Sequence, residues 1–236
     1  MQLAQGPRVR FSPFYRKSEA AGIRTATVYN RMVLPVATQD PEADYEALTQ
    51  RVALWDVACQ RQVQVQGPDA LKLCQYVSAR DLSQLKIGVA KYAPLCDHQG
   101  RLINDPVALR VDDDTIWFSI ADSDILLWVR AISGEREDNV EIIEPDVSPL
   151  AVQGPRATDT VAAVFGEWVR ELKFFHFKRI NHEGIPLVVC RSGWSKQGGY
   201  EVYMEKFLTT PRHVEIQVLA CLLYTSPSPR DQRGSR

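Results

Sequence analysis

One hexapeptide occurs twice in this chain: Val65-Gln66-Gly67-Pro68-Asp69-Ala70 returns as Val152-Gln153-Gly154-Pro155-Arg156-Ala157. The turn Asp97-His98-Gln99-Gly100 returns in the same way, as Asn181-His182-Glu183-Gly184. Motif and turn are separated by similar distances in both copies, so a supersecondary block has been duplicated rather than a short motif repeated. Around each copy the pattern reads strand, Gly-Pro, helix, strand, turn, strand. A chain of this kind is expected to be α+β, built from two related sheet-and-helix units and not a solenoid. The expected division is an N-terminal segment at 1–40, a first unit at about 41–145 and a second at about 146–220. If the two sheets face each other, the segments that follow the echoed turns, around Asp105 and around Trp194, meet near a pseudo-twofold axis and enclose a pocket.

The local signals fit that division. Asp40 is a good N-cap and Pro41 a good first helical residue for an amphipathic helix over 41–52. Gln62-Val63-Gln64-Val65-Gln66 alternates with period two, as a half-buried strand does, and Gly67-Pro68 ends it before a helix over 69–77. Strands are expected at 92–96, 102–111 and 115–120, with a helix over 122–132. Asp112-Asp113-Asp114 reads as a solvated turn, since three adjacent carboxylates on one turn cannot converge on an ion.

Several function classes are excluded by what is absent. The 28 basic and 29 acidic residues are mixed along the chain, leaving no basic stripe for a nucleic-acid backbone. No run approaches the ~20 apolar residues of a membrane span, and residues 1–7 lack the apolar core of a secretory signal, so a cytoplasmic location is expected. The cysteines at 59, 74, 96, 190 and 221 form no C-x-x-C pair and read as reduced, mostly buried small residues. The histidines at 98, 176, 182 and 213 have no partner at metal-ligand spacing, and surface positions are expected for them; no metal site is expected. No nucleophile elbow is present. Residues 221–236 back-translate into a transposase adapter of the kind used in sequencing libraries, which points to a reading frame that left its insert near Ala220; a disordered Ser/Pro/Arg-rich tail is the alternative.

Two segments carry more than folding requires. Asp105 interrupts an otherwise apolar strand, where a carboxylate costs stability unless it is paired or used; backbone donors beside Pro106 are the plain alternative. The run from Arg191 to Tyr203 has glycines that allow close backbone approach, and then Glu201 and Tyr203 alternate onto one face of a strand. It is not a phosphate loop, because no Lys-Ser or Lys-Thr follows the glycines.

Ala53-Leu54-Trp55-Asp56-Val57, Val65-Gln66-Gly67 with Ala70, Leu85-Lys86-Ile87-Gly88 with Tyr92, Gly100 with Ile103 to Asp105, and Ala151-Val152-Gln153-Gly154-Pro155 together resemble the glycine-cleavage T-protein superfamily. Val28-Tyr29-Asn30, Arg80-Asp81-Leu82-Ser83, Ser119-Ile120-Ala121-Asp122 and the run from Arg191 to Tyr203 are closer to the branch that demethylates dimethylsulfoniopropionate. That resemblance implies the T-protein folate-binding fold with a third, C-terminal domain missing here. It also implies methyl transfer from a small sulfonium substrate to tetrahydrofolate, giving methylthiopropionate and 5-methyltetrahydrofolate. By motif match Asp105 is the catalytic residue; Glu201 binds the pterin, with Tyr92, Ser119 and Ile120 as further cofactor contacts; Trp194 and Tyr203 contact the substrate. A homodimer is compatible with the resemblance. The alternatives are an aminomethyltransferase, disfavoured because Gly193-Trp194-Ser195-Lys196 stands where a Gly-Tyr-Thr-Gly-type motif is usual, and a non-enzymatic folate-binding accessory protein.

Overall fold

A computed structural model describes residues 8–205. Residues 1–7, the end of the second unit beyond 205, His213, Cys221 and the segment 221–236 lie outside the described residues. In chain order the elements are α1 (Tyr15–Ala20), β1 (Thr25–Tyr29), β2 (Met32–Ala37), α2 (Pro41–Gln50), β3 (Ala53–Asp56), β4 (Gln62–Gln66) and α3 (Ala70–Val77). Four short strands follow, β5 (Ala90–Tyr92), β6 (Leu95–Cys96), β7 (Leu102–Asn104) and β8 (Val107–Arg110), then β9 (Thr115–Ser119), α4 (Leu126–Arg136) and β10 (Glu141–Ile143). The remainder is β11 (Val147–Gln153), α5 (Ala157–Phe165), a 3-10 turn (Glu167–Glu171), β12 (Phe177–His182), β13 (Ile185–Cys190) and β14 (Gly199–Glu205).

The protein is α+β, with two related antiparallel five-stranded sheets ordered β10-β4-β9-β8-β5 and β3-β11-β14-β13-β12. Written this way the two orders correspond strand for strand, and each sheet takes its outermost strand from the other copy of the repeat. The strand preceding β4 joins β11, pairing Asp56 with Leu150, while the strand preceding β11 joins β4, pairing Ile142 with Val65. This exchange explains the duplicated glycines. Both have positive φ, 140° at Gly67 and 127° at Gly154, and a Cβ would lie 2.5 Å from the Asn139 carbonyl oxygen or 2.7 Å from that of Arg51. In each copy the Gly-Pro corner therefore abuts the backbone that leads into the exchanged strand.

Alternation along the strands sorts the side chains into layers. Val63 and Val65 of β4 and Phe118 of β9 face α3 and α4, packing on Leu73 and Val129. Val152, Tyr200 and Val202 of the second sheet face α5 and pack on Val161 and Phe165. Between the sheets, Ala90, Leu109 and Trp117 meet Val188, Cys190 and Tyr203. Each such fully buried aliphatic side chain contributes about 1.5–3 kcal/mol relative to exposure. The polar face of β4 runs from this inter-sheet layer out to water: Gln62 is fully buried, Gln64 is half-buried and accepts a hydrogen bond from Trp117 Nε1 at 2.9 Å, and Gln66 is exposed.

Three local expectations are corrected. The strands expected over 92–96 and 102–111 are broken at Pro94 and Pro106, which lack the N–H a ladder needs. The chain leaves the sheet at Tyr92, makes the separate β6-β7 hairpin, and rejoins it at Val107, so Asp105 occupies the corner between β7 and β8 rather than a strand interior. The helix expected over 122–132 starts at Leu126, because Asp122 is bound by Asn30 and Asp124 Oδ1 accepts from the Leu126 amide at 3.0 Å. His182 is half-buried with its ring edge-on to Phe165 at 5.1 Å, not a surface group.

The N-terminal segment is a wall. Asn30 and Arg31, both with positive φ, turn the β1-β2 hairpin. Its tip is fastened by Asn30, whose amide N–H donates to Asp122 Oδ1 at 2.8 Å and whose Nδ2 donates to the carbonyls of Ala121 and Cys59.

Candidate functional site

A cavity of about 670 Å³ lies where the ends of the two sheets meet. The β1-β2 hairpin closes one side with Tyr29, Leu34, Pro35 and Val36. Trp55 and Cys59 come from β3 and the turn after it, Tyr92 from the end of β5, Ser119 to Ala121 from the end of β9, and Glu201 from β14. Phe174, Phe175 and Trp194 complete the lining from loops of the second unit. A larger cavity of about 840 Å³ lies between α1, α2 and β3 and shares Pro35, Val36 and Trp55 with the first, but none of the seven candidate residues lines it. The candidate chemistry is therefore in the smaller space.

Glu201 is 7% exposed. One oxygen, Oε2, accepts from Ser192 Oγ at 2.5 Å and from the Tyr203 hydroxyl at 3.1 Å; Oε1 accepts from no described residue. Burial pushes its carboxyl above the ordinary range, and the two donors pull it back. The free oxygen on the cavity wall is a ready acceptor for a ligand's N–H groups.

Asp105, half-buried on the same cavity, makes neither a hydrogen bond nor an ion pair with any described residue. The plain alternative, satisfaction by backbone donors beside Pro106, is thus not what the structure contains. Its field reaches the neighbouring phenols. Tyr92 is raised by burial first and then by the negative charges of Asp105 and Glu201; Tyr29 is raised by burial, against a hydrogen bond from the Asp122 backbone N–H.

Of the seven candidates, Asp105, Tyr92, Ser119, Ile120, Trp194 and Glu201 share the cavity wall, and Tyr203 does not. Tyr203 alternates with Glu201 onto the inter-sheet face, but its ring is fully buried against Trp117, centroids 6.3 Å apart, and only its hydroxyl acts, through Glu201. Contact between Tyr203 and substrate is corrected on that ground. The second indole face at Trp194 is Trp55, 5.8 Å away and tilted 48°, and Tyr92 has Phe175 at 6.3 Å. Trp194 itself is 68% exposed at the mouth.

Gln153 escapes sequence reasoning. It is 2% exposed and sits beneath the 191–198 loop, donating to the Ser192 carbonyl at 3.1 Å and accepting from Ser195 Oγ at 2.8 Å. A Cβ on Gly193 or Gly199 would overlap its side chain, so both glycines serve this packing and not a ligand's phosphate. Its signal is the echo itself, since Gln66 stands at the same place in the first copy.

The described thiols at 59, 74, 96 and 190 are all free, and burial pushes Cys59 up to about 12, far from a nucleophile's range. Among the described residues no three His, Cys, Asp or Glu side chains converge on a metal position, and no helix is long and apolar enough to cross a membrane.

The GCVT N-terminal domain model matches residues 16–210. A dimethylsulfoniopropionate demethylase from Ruegeria pomeroyi is 52% identical over 198 residues, covering 84% of this chain and 54% of that protein. An aminomethyltransferase from Bacillus cereus is 31% identical over 182 residues, covering 72% and 47%. The crystal structure of the glycine cleavage system aminomethyltransferase T from Bartonella henselae superposes with a TM-score of 0.75 at 20% identity, covering 91% of this chain and 57% of that one, a likeness of fold. The chain spans about half the length of the curated relatives it matches.

Proposed function

The chain belongs to the GCVT N-terminal domain family, and we propose that within it this protein demethylates a small sulfonium, dimethylsulfoniopropionate, using tetrahydrofolate as methyl acceptor. One observation carries the choice of donor. The described lining of the cavity has six aromatic residues and two carboxylates, and no lysine, arginine or histidine. Such a wall favours a compact cation. An indole face is worth about 0.5–2 kcal/mol to a cation depending on desolvation, and here Trp55 and Trp194 offer two.

The residues present also fit a reduced pterin. Glu201 Oε1 can accept from adjacent ring N–H and amino groups, and its hydrogen-bonded Oε2 fixes the plane of the carboxylate. Tetrahydrofolate, if bound there, would supply N5 as the methyl acceptor, and the neutral thioether would leave with the electron pair of the C–S bond. Asp105 remains as a charge near the place where positive charge passes from sulfur to nitrogen, and it can take up the proton that N5 sheds. Neither a metal nor a covalent nucleophile is needed for a methyl already activated by sulfonium. Holding the partners in line contributes about 7–11 kcal/mol.

Aminomethyl transfer is the second reading, favoured by the unpaired Asp105, which could equally protonate a departing amine. The two separate in one assay. The full-length gene product is given tetrahydrofolate with dimethylsulfoniopropionate, with dimethylglycine, or with the aminomethyl-loaded carrier of glycine cleavage. Formation of methylthiopropionate and 5-methyltetrahydrofolate only with the sulfonium is the expected result; methylene transfer from the aminomethyl-loaded carrier, or methyl transfer from dimethylglycine, without sulfonium turnover sinks the reading.

A further inference from the structure

The two units differ by an insertion, and the insertion carries Asp105. Counted from the repeated Gln-Gly, Ser119 of β9 and Tyr203 of β14 hold the same register position, and their ladder partners are Val107 and Val188. Val107 lies seven residues past the turn glycine Gly100, whereas Val188 lies four past Gly184. On the other arm Tyr92, partner of Val107, precedes Asp97 by five residues, and Arg179, partner of Val188, precedes Asn181 by two. Each arm of the hairpin is thus three residues longer in the first unit. In the second unit both arms stay in the sheet, as β12 and β13. In the first, the added length leaves it as the β6-β7 hairpin, and Asp105 stands where the return arm re-enters.

One side chain replaces the ladder that this return arm has left. Asn104 is 3% exposed; its Oδ1 accepts from the Ala121 amide at 3.0 Å, and its Nδ2 donates to the carbonyls of Ala121 at 3.0 Å and of Ser123 at 2.8 Å. By accepting from and donating to the same residue, the carboxamide pairs with Ala121 as a neighbouring strand would. A backbone N–H only donates and a carbonyl only accepts, so the amide has one orientation. The Ala121 carbonyl also takes Asn30 Nδ2 at 2.8 Å. The arm bearing Asp105, the cavity segment ending at Ala121 and the β1-β2 wall are thereby joined at one atom.

We propose that Asn104 is a positioning residue, fixing the return arm against Ala121 so that the Asp105 carboxylate stays on the cavity wall; the proposal rests on the part given to Asp105 in methyl transfer. Asp105 cannot fix itself. Its carboxylate bonds to no described residue, and Pro106 beside it has no N–H. Past the corner the Pro106 carbonyl accepts from the Ala93 amide at 2.9 Å, so the chain is held on both sides of Asp105 while its side chain faces the cavity.

The first test needs no ligand. Tyr92 pairs with Val107 beside the corner and lines the same cavity, and its phenol is raised by burial and then by the charges of Asp105 and Glu201. Its hydroxyl is titrated by carbon-13 NMR in the full chain. Asp105→Asn should lower the Tyr92 pKa. Asn104→Leu, close in volume and unable to make any of the three bonds, should lower it too, and should change nothing more when added to Asp105→Asn. A wild-type titration in Asn104→Leu overturns the proposal. So does an equal shift in both backgrounds, the mark of general loosening, or no shift in Asp105→Asn, which would mean that Asp105 is not beside Tyr92. If Asn104→Leu does not fold, Asn104→Ala is put through the same cycle and decides. The second test rests on the methyl-transfer reading. In the full-length gene product Asn104→Leu should lower single-turnover methyl transfer by about tenfold to a hundredfold, keep tetrahydrofolate affinity within about twofold of wild type, and cost nothing further in Asp105→Asn. Losses that multiply in the double variant mark a merely structural role and overturn the proposal. Absence of methyl transfer by wild type overturns the demethylation reading alone, and the Tyr92 titration then decides the role of Asn104.

Discussion

Replacing Asp56 by asparagine should stabilise the protein at neutral pH. Asp56 ends β3, is 8% exposed, and accepts from Ser12 Oγ and from the Ala58 amide at 3.2 Å, with no ion pair to any described cation. Burial pushes its carboxyl from 3.8 to about 6, against the pull of those two donors. The folded state therefore holds its proton more tightly than the unfolded chain. The stability this group contributes is complete below 3.8 and is lost as pH rises through about 6. The displacement is worth about 3 kcal/mol in all, to order of magnitude. Asparagine keeps the acceptor and cannot ionise. The stability difference between Asp56→Asn and wild type should thus widen by about 1.4 kcal/mol between about pH 5 and about pH 7.5. Urea unfolding of both proteins at each pH measures it, and other titrating groups cancel in the difference. A gap that stays constant, or narrows as pH rises, refutes the argument that Asp56 is ionised against burial.

Three further outcomes are expected. Glu201→Gln exchanges an anionic acceptor for an amide, and tetrahydrofolate affinity by calorimetry should weaken by about one to two decades, the worth of charge-assisted hydrogen bonds of about 1.5–3 kcal/mol; unchanged affinity removes Glu201 from the pterin site. Asp105→Asn should fold and bind folate, yet lower single-turnover methyl transfer in the full-length gene product by roughly tens to hundreds of fold, about 2–3 kcal/mol of barrier; full activity contradicts the assigned role. Gly154→Ala should lower the unfolding free energy by about 2–4 kcal/mol, whereas Gly100→Ala, where a Cβ meets nothing within 4 Å, should cost only about 1 kcal/mol for its positive φ; equal losses would refute the close-approach account of the Gly-Pro corner.

What is legible in the sequence is set by short-range periodicity and by the echo. The duplicated Gly-Pro corners mark two related units, and the Asp40 cap does close α2, accepting from the Ala43 amide at 3.0 Å. The pairing partners are not legible. Nothing local in Ala53–Asp56 says that it lies beside β11, because strand exchange is decided by contacts about a hundred residues away. Tyr203 shows the same limit inside the site. Alternation puts it on the face of Glu201 correctly, but cannot say that Trp117 of the other sheet lies against that face. Asp105 stands out because a lone carboxylate in an apolar run is costly, and the structure gives it no partner. Gln62 and Gln153 do not stand out, because polar residues of an alternating strand are ordinarily solvated, and here both face protein.

The exchanged strands also set an order of events during synthesis. Asp56 leaves the ribosome 94 residues before its partner Leu150, whereas β10 emerges when β4, its partner, has long been available. At about 5–20 residues per second, β3 waits on the order of 5–20 seconds without its ladder partner while the strands of the first sheet are made. During that interval β11 of a neighbouring nascent copy is as good a partner as its own. A reciprocal dimer, each copy lending β3 to the other, preserves every backbone pairing seen here and is the misassembly that this topology invites.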